Sequence, residues 1–320
     1  MKLVFCGTPR FAVPTLEALL AAGHEIPLIV SQPDRPVGRA KELVMPPVKM
    51  AALAANLEVA QPEKIRNNQE FRSRLESIAP DAIVVVAYGR LIPPWMLALP
   101  RLGCINLHAS LLPRYRGAAP IQWAVAMGEV FTGNTTMLLE EGLDTGPILL
   151  QQALAIGTEQ TAAELFDVLA EGGAPLVAKT LAGLDDGTIE PTPQNHAKAT
   201  LAPILSREDG RMDFAARTAM ELKNRWRGFQ PWPGAFTTVE GKKLIVHRLG
   251  VSEPSSFSGI EGATPGQIHI EDHRIFAACS KSSWLELLEV QLEGKKRLAA
   301  AEFLRGNALV DATHFGVAAQ

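Results

Sequence analysis

Asp81-Ala82-Ile83-Val84-Val85-Val86-Ala87 is an unbroken apolar run dominated by β-branched residues. A strand exposed on one face alternates apolar and polar residues, whereas a strand covered on both faces does not. The run has the length of a buried strand and is far too short to cross a membrane. It predicts the centre of a sheet with helices on both sides. The segments around it fit: residues 3–6 form a short apolar run ending at Gly7, and 26–30 and 104–108 read as further strands. Between and after them, 11–22, 48–55 and 69–78 carry helical spacing, and 120–127 opens a helix with Pro in its first turn. This β-α-β-α rhythm predicts an α/β fold with a parallel, doubly wound sheet. Strands at 135–139 and 148–155 follow, joined by turn-rich 140–147, and then a long amphipathic helix at 161–184.

A chain of 320 residues has room for two domains. At 47% hydrophobic and 20% charged residues it is globular and not disordered. The texture changes after the long helix. Residues 185–200 are rich in Pro, Thr, Gln and Asn, the composition of a linker. From Arg207 onward a short helix at 215–227 precedes strand-like segments that turn at Glu240-Gly241-Lys242-Lys243 and Glu293-Gly294-Lys295-Lys296. Gly in a polar turn between apolar runs signals hairpins, and short strands at this spacing predict a small β-barrel. The expected division is a first domain at 1–189, a linker at 190–206 and a second domain at 207–320.

Several classes of function are excluded or disfavoured. A net charge of −3 does not suit a protein that coats nucleic acid without specificity. Cys6, Cys104 and Cys279 are far apart, with no CxxC, so neither a disulfide framework nor a zinc site is readable, and no metal is expected. The apolar run at the N-terminus is too short for a signal peptide, so the expectation is a cytoplasmic protein without a membrane partner. No GxGxxG follows the first strand, which disfavours a nicotinamide oxidoreductase, and GxxxxGK[ST], HExxH and GxSxG are absent.

The segment that carries chemistry is Ile105-Asn106-Leu107-His108-Ala109-Ser110-Leu111-Leu112-Pro113. Asn106 and His108, two apart, share one strand face, at the strand end where doubly wound sheets bind ligands. An amide donates to a developing oxyanion and an imidazole moves protons. The same pair could simply end a strand and bond to the next loop. Asp144, in Glu141-Gly142-Leu143-Asp144-Thr145-Gly146-Pro147, could favour the imidazolium form of His108 or order a water; it also reads as ordinary turn chemistry. His24, His196, His247, His269, His273 and His314 have no partner readable in the sequence.

Taken together, these segments resemble the methionyl-tRNA formyltransferase family over most of the chain. The likeness is carried by Val4-Phe5-Cys6-Gly7-Thr8-Pro9, Gln32-Pro33-Asp34-Arg35-Pro36-Val37-Gly38-Arg39, Val85-Val86-Ala87-Tyr88-Gly89, the stretch Asn106 to Gln122, and Gly142-Leu143-Asp144-Thr145-Gly146. The Asn, His, Ser-Leu-Leu-Pro and Asp elements are shared with the wider 10-formyltetrahydrofolate-dependent transferases. Arg116-Gly117-Ala118-Ala119-Pro120-Ile121-Gln122 and the Gln32–Arg39 loop look specific to the tRNA enzyme. The resemblance implies a Rossmann-like formyltransferase domain with a C-terminal OB-like β-barrel domain that binds tRNA. It implies formyl transfer from 10-formyltetrahydrofolate, as co-substrate, to the α-amino group of initiator Met-tRNA in translation initiation. It assigns catalysis to Asn106, His108 and Asp144, and folate binding to Ser110, Leu111, Leu112, Pro113, Arg90, Leu91 and Ile92. A monomer is expected.

Residues 32–49 make an unusually long strand-to-helix connection. It carries Arg35, Arg39, Lys41 and Lys49, and the resemblance makes Arg39 and Lys41 the expected tRNA contacts. Two stretches depart from the family: 40–47 lacks the usual basic residues, and Arg10 stands where relatives carry an acid. Trp226, Phe229, Trp232 and Pro233 form an aromatic-proline cluster expected in a core or domain interface. The alternative acceptor for the same chemistry is a sugar nucleotide or glycinamide ribonucleotide. An RNA-binding module with a degenerate site is a third reading, opposed by the intact Asn106, His108 and Asp144.

Overall fold

The structure, a computed structural model, describes residues 1–37, 42–252, 262–307, 309 and 313–316. The first elements in chain order are β1 (Lys2–Gly7), α1 (Val13–Ala21), β2 (Glu25–Val30), β3 (Arg35–Val37), β4 (Glu42–Val44), α2 (Pro47–Ala54) and β5 (Val59–Ala60). They continue with α3 (Gln69–Ile78), β6 (Ala82–Val86), α4 (Pro94–Leu97), β7 (Cys104–His108), α5 (Pro120–Ala126), β8 (Phe131–Leu138), β9 (Ile148–Ala155) and α6 (Ala162–Asp185). Seven strands form one sheet in the order β5-β2-β1-β6-β7-β8-β9. β6 lies at its centre and is buried at every position, as its lack of alternation predicts. Val4, Cys6, Leu28, Val30, Ile83 and Val85 pack into one core with Phe71 and Leu75 of α3. The alternate residues Leu3, Phe5, Ile29, Val84 and Val86 are equally buried, so both faces are covered.

The sheet is not wholly parallel, which corrects the sequence expectation. β1, β2, β5, β6 and β7 are parallel, whereas β8 is antiparallel to β7 and β9 to β8. A parallel successor to β7 needs a crossover that returns to the starting edge of the sheet. Here the chain re-enters at the edge where β7 stopped: His108 pairs with Thr135, midway along β8, and Ile105 with Leu138 at its end. α6 then runs along this part of the sheet. A Cβ on Gly173 would lie 2.5 Å from the Leu107 side chain, so any larger residue here would have to displace Leu107. Asn134 Nδ2 donates to Leu169 O (2.8 Å), and the hydroxyls of Thr136 and Thr180 bond at 2.7 Å.

The chain divides into two compact units. One comprises Met1–Ile121, Phe131–Ile156 and Glu164–Pro203; the other comprises Gln122–Val130, Gly157–Ala163 and Ile204–Gln320. Much of the stretch that reads as linker thus belongs to the first unit. Thr192 pairs with Ile148 and Leu201 with Arg116 through isolated bridges. Its polar composition supplies hydrogen bonds to a loop-rich surface, which composition alone does not distinguish from a free connection.

The second unit contains α7 (Ala219–Gly228), β10 (Phe236–Val239), β11 (Lys242–Ser252), β12 (Ile268–Glu271), β13 (Arg274–Ala278), β14 (Trp284–Leu292), β15 (Arg297–Ala299) and α8 (Ala300–Gly306). The strands are antiparallel in the order β10-β11-β14-β13-β12, with β15 on β14, and form a half-barrel of the OB-like class. Both predicted hairpins are present. At the first, Glu240 and Gly241 have φ of 49° and 74°, the left-handed pair that matches strand twist in a two-residue turn. α7 starts later than its periodicity predicts. Asp213 Oδ1 accepts from the backbone of Ala215 and Ala216 and makes a turn, and the helix begins only at the Thr218–Glu221 capping box. Phe229 is buried against Trp123, at a centroid distance of 5.4 Å, so this part of the aromatic cluster is core, whereas Trp232 is exposed.

Phe5 is fully buried in β1 beside the central strand. Phe5→Ala is expected to cost about 3–5 kcal/mol of folding stability, read by urea denaturation; a loss below about 1 kcal/mol would contradict this packing.

Candidate active site

The strand order reverses between β1 and β6, so the loops leaving these strands diverge and open a crevice. Three strand ends are tied together there. Thr8 Oγ1 donates to Tyr88 O (3.1 Å), the Gln32 backbone N–H donates to Thr8 Oγ1 (3.3 Å), and Gln32 Nε2 donates to Tyr88 O (3.1 Å). Arg90 Nε donates to Gln32 Oε1 (2.9 Å) and Nη1 to Pro62 O (3.0 Å) and to Glu63 O. Its side chain is therefore engaged in joining loops. Leu91 is 80% exposed, and Ile92 packs against the core of the first sheet.

Asn106 and His108 lie on the same face of β7, as period two requires. His108 is nearly buried, and its Nε2 lies 2.9 Å from Tyr115 O. A carbonyl oxygen can only accept, so Nε2 carries a hydrogen and donates it. Nδ1 faces Asp144 Oδ2 at 3.7 Å, an ion-pair separation too long for a direct hydrogen bond. Oδ2 also accepts from the Gly117 backbone N–H at 2.8 Å. The loop bearing Asp144 leaves β8 opposite Ile105 and joins β9 opposite Met137. It must fold back over the sheet to reach His108. The Asn106 amide makes no hydrogen bond among the described residues.

Around this centre, Thr135 and Gln151 continue the row of His108 across β8 and β9. Thr135 Oγ1 donates to Ser110 O (2.6 Å) and accepts from Leu112 N (3.2 Å), and Gln151 Nε2 donates to Leu112 O (2.9 Å). Ser110 is fully buried, with its hydroxyl on Arg114 O (2.6 Å), and Leu112 is also buried. These two residues shape the Ser110–Pro113 segment from within. Leu111 and Pro113 are its half-exposed members. Thr135, Gln151, Tyr115, Gly117 and Gln194 had no sequence signal of a site role beyond the position of Tyr115 and Gly117 in the 106–122 stretch.

Arg39 and Lys41, the expected tRNA contacts, lie outside the described residues. The strands on either side of them pair as a hairpin, Arg35 opposite Val44, which the sequence does not announce. Lys49 is committed elsewhere: its Nζ lies 2.8 Å from Asp34 Oδ2. Gln61 Nε2 donates to Asp34 Oδ1 (2.7 Å) and to Gln32 O (2.8 Å). The Gln61 hydrogen bond and then Lys49 hold the Asp34 carboxyl below the usual carboxylate range. Burial pushes the Cys104 thiol and the Tyr88 phenol each up to about 12, which keeps both uncharged near neutral pH. Among the described residues, no group of three or more His, Cys, Asp or Glu side chains is placed to hold a metal ion.

The chain matches the family model described as formyl transferase over residues 1–181 and the formyl transferase C-terminal domain over 204–308. It is 63% identical to a methionyl-tRNA formyltransferase of Acidobacterium capsulatum, covering 99% of this chain and 100% of that one. A methionyl-tRNA formyltransferase of Koribacter versatilis is 56% identical over 96% of each chain. An N-formyltransferase from Helicobacter canadensis, solved in complex with folinic acid and dTDP-3-aminofucose, shares the fold. Its TM-score is 0.63 at 17% identity, over 90% of this chain and 98% of that one.

Because the folded-state Asp34 carboxyl titrates low, its contribution to stability is present above the ordinary carboxylate range and is lost as pH falls through the folded-state value. Gln61→Leu is expected to move the Asp34 titration upward, read by carbon NMR of the carboxyl. An unmoved titration would show that Gln61 does not hold this group.

Proposed function

The chain belongs to the methionyl-tRNA formyltransferases and formylates initiator Met-tRNA with a folate-borne formyl group, and on that footing we propose how its residues divide the work. The donor is 10-formyltetrahydrofolate, whose formyl group sits on a nitrogen that departs readily once protonated. A folinic acid complex in the fold relative supports a donor of this class. The folate lies against Leu111 and Pro113 on one side and against Leu91 and Ile92 on the other, with Ser110, Leu112 and Arg90 holding these walls from behind.

The methionyl α-amino group attacks as the neutral amine, available near neutral pH because such groups titrate at about 7.7–8.0. A C–N bond forms at the formyl carbon and its oxygen becomes an oxyanion. Asn106 Nδ2 donates to that oxyanion, since the amide has no other partner among the described residues. His108 in its charged form donates through Nδ1, because its Nε2–H is already committed to Tyr115 O. Asp144, beside Nδ1, stabilises the positive charge on the ring and holds a water that relays the proton. The proton lost by the amine passes to the folate nitrogen, the C–N bond to folate breaks, and formylmethionyl-tRNA leaves.

The first unit is the catalytic domain and the second carries tRNA. Arg39 and Lys41, between β3 and β4, contact the acceptor end of the tRNA, and the Asp34–Lys49–Gln61 set anchors the base of that hairpin. This reading includes a cytoplasmic monomer. The observation that carries the catalytic assignment is the juxtaposition of His108 Nδ1 and Asp144 Oδ2 at 3.7 Å on the strand face that bears Asn106.

Asn106→Ala and His108→Ala should each lower kcat by about 10²–10³ while leaving folate affinity little changed; unchanged turnover in either would remove that residue from catalysis. Offered Met-charged initiator tRNA, elongator Met-tRNA and free methionine separately, the enzyme should formylate the initiator tRNA. Rising salt should weaken tRNA use much more than folate affinity, because only tRNA binding releases many counterions. Equal labelling of free methionine would overturn the tRNA assignment.

A further inference from the structure

The stretch that follows α6 is hydrogen-bonded to both loops that flank His108. Gln194 and Arg116 are each only 6% exposed, although both are polar and one is charged. Arg116 forms no ion pair among the described residues. Its Nε and Nη2 both donate to Gln194 Oε1, at 3.2 and 2.6 Å, and Nη2 also donates to His196 Nδ1 at 3.2 Å. An arginine has no acceptor, so it fixes which end of the Gln194 amide faces it. Nε2 is thereby turned the other way, where it donates to Asp144 O at 2.9 Å and to Gly146 O at 2.7 Å. Both amide hydrogens are spent on the loop that carries Asp144. That loop needs them: Asp144 has φ of 50°, a left-handed conformation that a non-glycine residue keeps only where its surroundings impose it.

The same stretch holds the other side of His108. The Tyr115 backbone N–H donates to Thr200 Oγ1 (2.8 Å), the Arg116 N–H to Thr200 O (2.9 Å), and the Ala202 N–H to Arg116 O (2.7 Å). These bonds fix Tyr115 O, which takes His108 Nε2–H, and the Gly117 N–H, which holds Asp144 Oδ2. Gly117 has φ of 118°, and a Cβ there would lie 2.7 Å from Ala202 O, so the strap passes too close for any other residue. We infer that Gln194, oriented by buried Arg116, is a positioning residue that sets the placement of Asp144 against His108. The inference rests on the catalytic role proposed above for that pair.

Two variants test it. Gln194→Met keeps the length and removes both ends of the amide. Gln194→Glu keeps the acceptor for Arg116 and removes the donors to the Asp144 loop. Each is expected to lower kcat by about 10- to 100-fold, the scale of a misplacement near 1 Å, with KM for the folate donor and for Met-tRNA held within about threefold. Thermal denaturation identifies the variant that folds, and either suffices. A folded Gln194 variant with wild-type kcat overturns the inference.

The decisive readout is coupling. If Gln194 acts through Asp144, adding Gln194→Met to Asp144→Asn should cost less than about twofold further, because the two losses are one loss. Multiplying losses would mean that Gln194 acts elsewhere, and the inference fails. Wild-type turnover in Asp144→Asn alone would instead remove the catalytic reading beneath it. A crippled Asp144→Asn beside a fully active Gln194→Met overturns only the positioning role.

Discussion

The imidazole of His108 is held from two sides, and much of the first unit is arranged around that hold. On one side the Tyr115 carbonyl takes the Nε2 hydrogen. On the other, Asp144 stands across from Nδ1, its own carboxylate fixed by the Gly117 N–H. A ring with one nitrogen committed has only the other to offer to chemistry. The two holding groups lie 29 residues apart in sequence, and neither lies on a strand or helix. Their placement therefore depends on loops, and loops hold a geometry only where their backbone groups are satisfied.

The hydrogen bonds around the site follow from that need. Ser110 O, Leu112 N and Leu112 O are buried backbone groups past the end of β7, and Thr135 and Gln151 take them up from β8 and β9. Leaving one such group unpaired costs about 1–3 kcal/mol. Antiparallel strands beside β7 put the threonine and glutamine on the same face and at the same level as His108, ready for that task. The reversal of strand direction at β8 thus bears on the site directly. Farther along the sheet, Thr8, Gln32, Tyr88 and Arg90 do similar work, closing the ends of three parallel strands over the crevice.

Polar residues outside regular elements carry more of this structure than their composition suggests. The stretch of Pro, Thr, Gln and Asn after α6 has the texture of a connection between domains, yet it pairs with Ile148 and Arg116 and buries Gln194. Lys49, one of four basic residues in the long 32–49 connection, is held by Asp34. In each case the residue type was visible in the chain, but its partner was not.

The sequence by itself determined the buried central strand, the alternation of strands and helices on either side, the two hairpins of the second unit, and Asn106 and His108 on one face of β7. All of these depend on periodicity or on turn chemistry between near neighbours, which is written along the chain. Motif likeness added Asp144, and the structure brings it to within 3.7 Å of His108. Only the tertiary structure decided that β8 and β9 run antiparallel, that Arg35–Val37 and Glu42–Val44 form a hairpin, and that Gln194 reaches the Asp144 loop. Strand direction depends on which edge the chain re-enters. A hydrogen bond between residues 50 apart depends on what else is packed there, and neither is encoded in local spacing.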